Sequence, residues 1–155
     1  MKYWKEAEEL IPKTVSLTLA TINKDGSPQV APIGSLFLTG EGRGIYFEKL
    51  PQVTRENLDR DKRFSILACR GSMFFWMKSF FLGKFNKFPA LRLSGKAGER
   101  RPCTPDEKKL FDGKFDSYKC MKAYNILWKD MNTVRDLNFD QVEPINIRSM
   151  TKGLL

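Results

Sequence analysis

Hydrophobic and polar positions alternate along residues 14–22, with Val15, Leu17 and Leu19 on one side and Ser16, Thr18 and Ala20 on the other. A period of two predicts a β-strand with one face in a core. Asn23–Lys24–Asp25–Gly26 follows, and Asp-Gly tolerates the positive φ angles of a tight hairpin turn. The return strand is expected over residues 28–38, with Pro32 inside it. Proline cannot donate to a ladder, so that point is an edge, a bulge or a bend. Gly34 beside it lets another group approach the backbone closely. A glycine-rich turn at 40–44 leads into a third strand at 45–49, Pro51 introduces a helix at 52–60, and residues 63–69 alternate again with Phe64, Ile66 and Ala68 inward.

Outside this region the pattern is less regular. Residues 2–10 place Tyr3, Ala7 and Leu10 near one helical face, closed by Pro12. The aromatic run from Met73 to Phe88 is expected as a fifth strand or strand-like arm, broken at Phe88–Pro89 before a strand at 91–99. Thr104, Pro105 and Glu107 form a helix-start signature of cap, first-turn proline and capping-box acid. Residues 118–137 are expected to be helical, with Gly113 breaking them from the preceding turn. Residues 141–149 are expected as a last strand carrying Val142, Ile145 and Ile147, with Pro144 marking an edge or bulge. Many short strands and few helices make the fold class mainly β, a small barrel with helices packed outside. The 155 residues read as a single domain, 1–155.

Charge narrows the partners. Lysine and arginine number 27 against 18 acids, a formal net charge of +9, which favours an anionic partner such as nucleic acid, a membrane surface or a phosphorylated small molecule. Cys69, Cys103 and Cys120 are odd in number and widely spaced, which fits free thiols in a reducing cytoplasm. The start, MKYWKEAEELIP, is charged, unlike a secretory signal, and the run 73–82 is too short to span a bilayer. A cytoplasmic protein with no membrane partner is expected. No histidine occurs, so serine–histidine triads and histidine-ligated haem are excluded. No metal set is expected, no Walker-type loop appears, and no catalytic side chain can be nominated.

One segment has the chemistry of an anion seat. A helix beginning after Pro51 leaves its first N–H groups unpaired, and its dipole there favours negative charge. Thr54 adds a hydroxyl donor, and Lys49 and Arg55 add cations. An ordinary surface helix start has the same features.

The order and spacing of these pieces resemble one family. A strand with LAT, the NKDGSP turn, a strand with VAPIGS, a strand ending in Tyr46–Phe47, the helix with Thr54–Arg55–Glu56–Asn57–Leu58 and the entry Asp61–Lys62–Arg63 resemble the FMN-binding split barrels related to pyridoxamine 5'-phosphate oxidase. The resemblance covers residues 15–69, with a shorter match at 91–97. It implies a six-stranded split β-barrel, a homodimer, and FMN as cofactor. The flavin ring would lie along Ala31, Pro32, Ile33, Gly34 and Ser35. Phe47, Glu48 and Lys49 would border the ring and ribityl chain, and Gln52, Val53, Thr54 and Arg55 would reach the phosphate. Val53 stands where many members carry a basic residue.

The function implied is that of a flavin-dependent oxidoreductase or electron carrier, in which reduced FMN passes hydride or electrons to a small-molecule acceptor. Trp76, in the aromatic segment, is a candidate for packing near the flavin. A rival reading is a basic aromatic barrel that stacks single-stranded nucleic acid without catalysis, using Lys78, Lys84, Lys87 and Arg92.

Overall fold

The computed structural model describes residues 1–49 and 51–155. Its frame is an antiparallel sheet of β1 (Leu17–Ile22), β2 (Pro28–Ile33), β3 (Leu36–Gly40), β4 (Arg43–Phe47), β5 (Arg63–Cys69), β6 (Ala90–Pro102) and β7 (Thr133–Pro144). Among the described residues the strand order is β2-β1-β5-β6-β7-β4-β3. The two edge strands are consecutive in the chain, with only Gly34 and Ser35 between them. Three Cα–Cα steps span at most about 11 Å, so the sheet must curl until its edges meet at that end. Elsewhere the edges stay apart, and the result is a split barrel.

The strand count is seven rather than six because residues 28–38 form two strands. β2 pairs with β1 from Leu17–Ile33 to Ile22–Pro28, whereas β3 pairs with β4 from Leu36–Tyr46 onward. The strand expected from residue 14 begins only at Leu17, and Val15 is exposed. The predicted turn forms, with Gly26 at φ 84° and its N–H donating to the Asn23 carbonyl.

Two expectations fail, and the last strand, expected over 141–149, ends at Pro144. The aromatic run is not a strand; Met73–Leu82 is helix α3, started by Ser72, whose Oγ accepts from the Phe75 N–H, and ended by Gly83 at φ 64°. A continuous apolar run carries no period, so it could not distinguish helix from strand. Nor do residues 118–137 form one helix: only Lys122–Leu127 (α5) is helical, and Thr133–Pro144 is β7, the neighbour of both β6 and β4. Tertiary pairing overrides a mixed local pattern there. Helices α1 (Trp4–Leu10), α2 (Gln52–Arg60) and α4 (Pro105–Phe115) arise near their predicted places, and Gly113 lies inside α4. The capping box of α4 is complete, with Thr104 and Glu107 bonding reciprocally.

The core has two parts. The barrel interior holds Leu17, Leu19, Ile66, Leu93 and Phe139, closed at one end by Trp4 and Leu10 of α1. A second cluster packs α4 on β4 and β7 through Phe111, Phe115, Phe47 and Val134. The cysteines are free, and no helix among the described residues is long and apolar enough to cross a membrane.

Candidate functional site

The site is built around the short link between the two edge strands. Ser35 is buried, and its backbone carbonyl accepts from the Phe47 N–H at 3.1 Å while its hydroxyl donates to the Phe47 carbonyl at 2.7 Å. This pair of hydrogen bonds pins the β2–β3 link against the end of β4. Because β2 is an edge strand, alternate peptide groups of Pro28–Ile33 point away from β1. Pro32 stands exposed on that edge.

A cleft of about 130 Å³ opens at this link, lined by Pro32, Ile33, Gly34, Ser35, Tyr46 and Lys49 on the barrel side. Leu127, Trp128 and Met131 form its other wall. The Lys49 ammonium donates to the Ile126 carbonyl at 3.3 Å, fastening that wall to the end of β4. Lys114 of α4 donates to the Gly34 carbonyl at 3.0 Å and lies over the Phe37 ring. Burial there pushes the Lys114 ammonium down from its usual range. Burial, and the nearby Glu48 charge, push the Tyr46 phenol up. A larger groove of about 850 Å³ runs along β3 between α1 and α4, but it contains none of the residues expected at the site.

Helix α2 carries the expected anion seat. Its N-cap is Pro51, with no side-chain cap, so the first-turn N–H groups are left for another acceptor. Thr54, Asn57 and Leu58 face inward at helical spacing. The Thr54 and Thr21 hydroxyls both donate to the Gln29 side-chain carbonyl, at 3.3 and 3.0 Å. Asn57 donates to Thr21 and Asn23, at 3.1 and 2.9 Å. This buried polar seam locks α2 to the β1–β2 hairpin.

A second lock acts at the other end of α2. Arg135 of β7, with no exposed surface, donates to both carboxylate oxygens of buried Glu48 at 3.2 and 2.9 Å, to Asp59 at 2.8 Å and to the Gly98 carbonyl at 3.0 Å. Arg100 adds a contact to Asp59 at 3.0 Å. Burial works to raise the Asp59 pKa, but its hydrogen bond from Arg135 and the surrounding cations outweigh that and hold it below the usual carboxylate range. The ends of β4 and α2 are thereby held on one buried guanidinium.

The twelve expected residues therefore divide. Pro32, Ile33, Gly34, Ser35 and Lys49 meet around one cleft. Gln52, Val53 and Arg55 lie on the outer first turns of α2, where Gln52 bonds to Glu56 at 2.7 Å. Ala31, Phe47, Glu48 and Thr54 turn their side chains into the interior, so what they offer a ligand is backbone. Leu50 lies outside the described residues. Trp76 does not line the cleft; its indole donates to the Arg70 carbonyl at 2.8 Å and packs on Phe85. Trp128 is the tryptophan at the cleft. Sequence reasoning missed it, with Tyr46 and Lys114 beside Gly34 and Arg135 at the far end of α2, because long-range packing sets their places. The period-two run of Val134, Asp136 and Asn138 against Arg135, Leu137 and Phe139 was the one signal available for β7.

Comparison with known proteins places this geometry. Residues 3–137 match the family model described as pyridoxamine 5'-phosphate oxidase. No curated protein sequence matches the chain. Among solved structures, an FMN-binding protein from Syntrophomonas wolfei is similar, at 15% identity and TM-score 0.60, covering 94% of each chain. A Clostridium acetobutylicum protein related to general stress protein 26 of Bacillus subtilis, of the pyridoxinephosphate oxidase family, is 15% identical with TM-score 0.61, covering 94% of this chain and 89% of that one. HupZ of Group A Streptococcus is 17% identical with TM-score 0.60, covering 91% and 92%. At such identities the structures show a shared fold.

Proposed function

The chain belongs to the pyridoxamine 5'-phosphate oxidase family, and from that premise we propose that it is an FMN-binding flavoprotein, a flavin-dependent oxidoreductase or electron carrier. The observation that carries the reading is the convergence of an edge-strand backbone, the Gly34–Ser35 link and the Lys49 ammonium on one cleft, next in sequence to a helix N-terminus with no side-chain cap.

The donor set suits the cofactor. The phosphate would meet the first-turn N–H groups of α2, with Lys49 and Arg55 supplying charge. The polar edge of the ring would meet the outward peptide groups of β2. When bound, FMN supplies two-electron redox chemistry that no side chain here can provide. The protein's part is to orient it: the Thr21–Gln29–Thr54–Asn57 seam and the Arg135 lock hold α2 and β4 in fixed relation, so phosphate and ring seats keep their spacing. Trp128 and Leu127 give the cleft one apolar wall.

A 130 Å³ cleft is smaller than the roughly 300 Å³ at which small-molecule sites begin. On this reading one chain supplies part of the flavin site and a second copy the rest, so the proposed working unit is a homodimer. This agrees with the resemblance seen in the sequence.

The test is an absorbance spectrum of purified protein, before and after FMN is added and the excess removed by gel filtration. Oxidised-flavin bands at about one per chain are expected. No retained flavin at micromolar protein would overturn the reading.

A further inference from the structure

Helix α3 is anchored by one face and unpartnered on the other. Phe85 is buried, its N–H donates to the Met150 carbonyl at 2.9 Å, and its ring packs against Phe75 and Trp76 with centroids 5.6 Å apart in both cases. The Ser79 hydroxyl donates to the Phe75 carbonyl at 2.7 Å. The helix is thus held rigidly, with Ser72 and Gly83 defining its ends. Its outer side exposes Met73, Phe74, Met77, Phe80, Phe81 and Leu82, with Phe81 92% and Phe74 76% accessible. Six large apolar side chains on ten residues form a contiguous patch, and such patches mark contact with a partner or a membrane.

The charge around the patch identifies which. Residues 62–98 hold eight lysines and arginines and no acid. Among the described residues Lys62, Arg63 and Arg92 pair with Glu99, Asp61 and Glu143, and Glu9 serves Lys87 at 2.6 Å and Arg70 at 3.9 Å. Lys78 and Lys84 have no acidic partner among the described residues.

We propose that α3 docks this protein on the surface of an anionic lipid bilayer, with its phenylalanine, methionine and leucine side chains in the acyl boundary and Lys78 and Lys84 among the headgroups. Ten residues span about 15 Å, so the helix lies in the interface plane and crosses nothing. Anionic lipid offers an apolar layer and negative charge together. A second copy on the same patch would bring Lys78 and Lys84 from both copies onto one two-fold interface with no acid on the helix to meet them. Nucleic acid is disfavoured because four of the six exposed tips are not in a flat aromatic array: Met73, Met77 and Leu82 cannot stack a base, and Phe80 faces Trp76. The sequence expectation of no membrane partner rested on span length, which does not bear on surface docking. The proposal is independent of the flavin reading.

The experiment is co-sedimentation of the full chain with vesicles of phosphatidylcholine, with and without about 30 mol% phosphatidylglycerol. Binding is expected only with the anionic lipid. It should fall about tenfold or more in Phe74→Ser/Phe81→Ser and severalfold in Lys78→Gln/Lys84→Gln or at about 0.5 M salt. Circular dichroism should match the parent for both variants, since all four side chains are exposed. Absence of binding to anionic vesicles overturns the proposal, as does undiminished binding by both variants. A lipid-free parent that sediments as a larger species than Phe74→Ser/Phe81→Ser would assign the face to a second copy instead. Retention of single-stranded DNA through these residues, without vesicle binding, would assign it to nucleic acid.

Discussion

Replacing Arg135 with methionine tests the lock that ties the ends of β4 and α2. Arg135 is fully buried, and its guanidinium serves both oxygens of Glu48, one oxygen of Asp59 and the Gly98 carbonyl. Its loss strands Glu48, which is 4% exposed and among the described residues keeps only Arg100, at 3.9 Å, as a cationic partner. Removing one partner of a buried pair costs about 3–5 kcal/mol, mostly through the charge left behind. Asp59 adds little to this, because it is partly exposed and keeps Arg100 at 3.0 Å. The total is a large part of the roughly 5–15 kcal/mol stability of a domain. The double variant Arg135→Met/Glu48→Leu removes both charges, and should recover about 2 kcal/mol or more of the loss. Urea unfolding followed by circular dichroism reads both changes as midpoint shifts at constant slope. An Arg135→Met cost below about 1 kcal/mol, or a double variant no more stable than the single, would refute the argument that a stranded buried carboxylate sets the magnitude.

Three further outcomes are expected. Gly95→Ala in β6 places a Cβ 2.0 Å from the Asn138 carbonyl oxygen, a backbone atom that cannot move aside, so a loss on the order of 3 kcal/mol or failure to accumulate folded protein is expected in a thermal melt. Glu107 bonds Arg101 and the α4 start; the Arg101 hydrogen bond, against the effect of burial, holds its pKa at about 2 rather than 4.5. A depressed folded-state pKa means stability present above the unfolded value and lost as pH falls through about 2. The gap between parent and Glu107→Gln, about 2 kcal/mol at pH 7 after allowance for screening, should therefore close between pH 4.5 and about 2; a pH-independent gap in thermal melts would contradict the assignment. Val53→Arg restores the cation missing from the first turn of α2 at an exposed position, and should tighten FMN binding about tenfold by fluorescence titration; no change would argue against a phosphate at that helix start.

Local pattern was sufficient where side-chain period and turn chemistry agree. The alternation at Leu17 and Leu19, the Asp25–Gly26 turn, the 52–60 helix, the 63–69 strand and the Thr104–Glu107 box were legible because each depends on neighbours a few residues apart. From these alone the sequence by itself determined a mainly β domain with an uncapped basic helix start beside an edge-strand proline. Tertiary structure decided the rest. Whether residues 73–82 coil or extend turned on Phe75 and Trp76 finding Phe85, and whether residues 133–144 join a sheet turned on β4 and β6 being available on either side. The buried state of Glu48 and the arrival of Trp128 and Lys114 at Gly34 likewise come from contacts 80 or more residues apart in the chain, such as Lys114 to Gly34. Such contacts form only once the whole sheet has curled, so no window of local sequence encodes them.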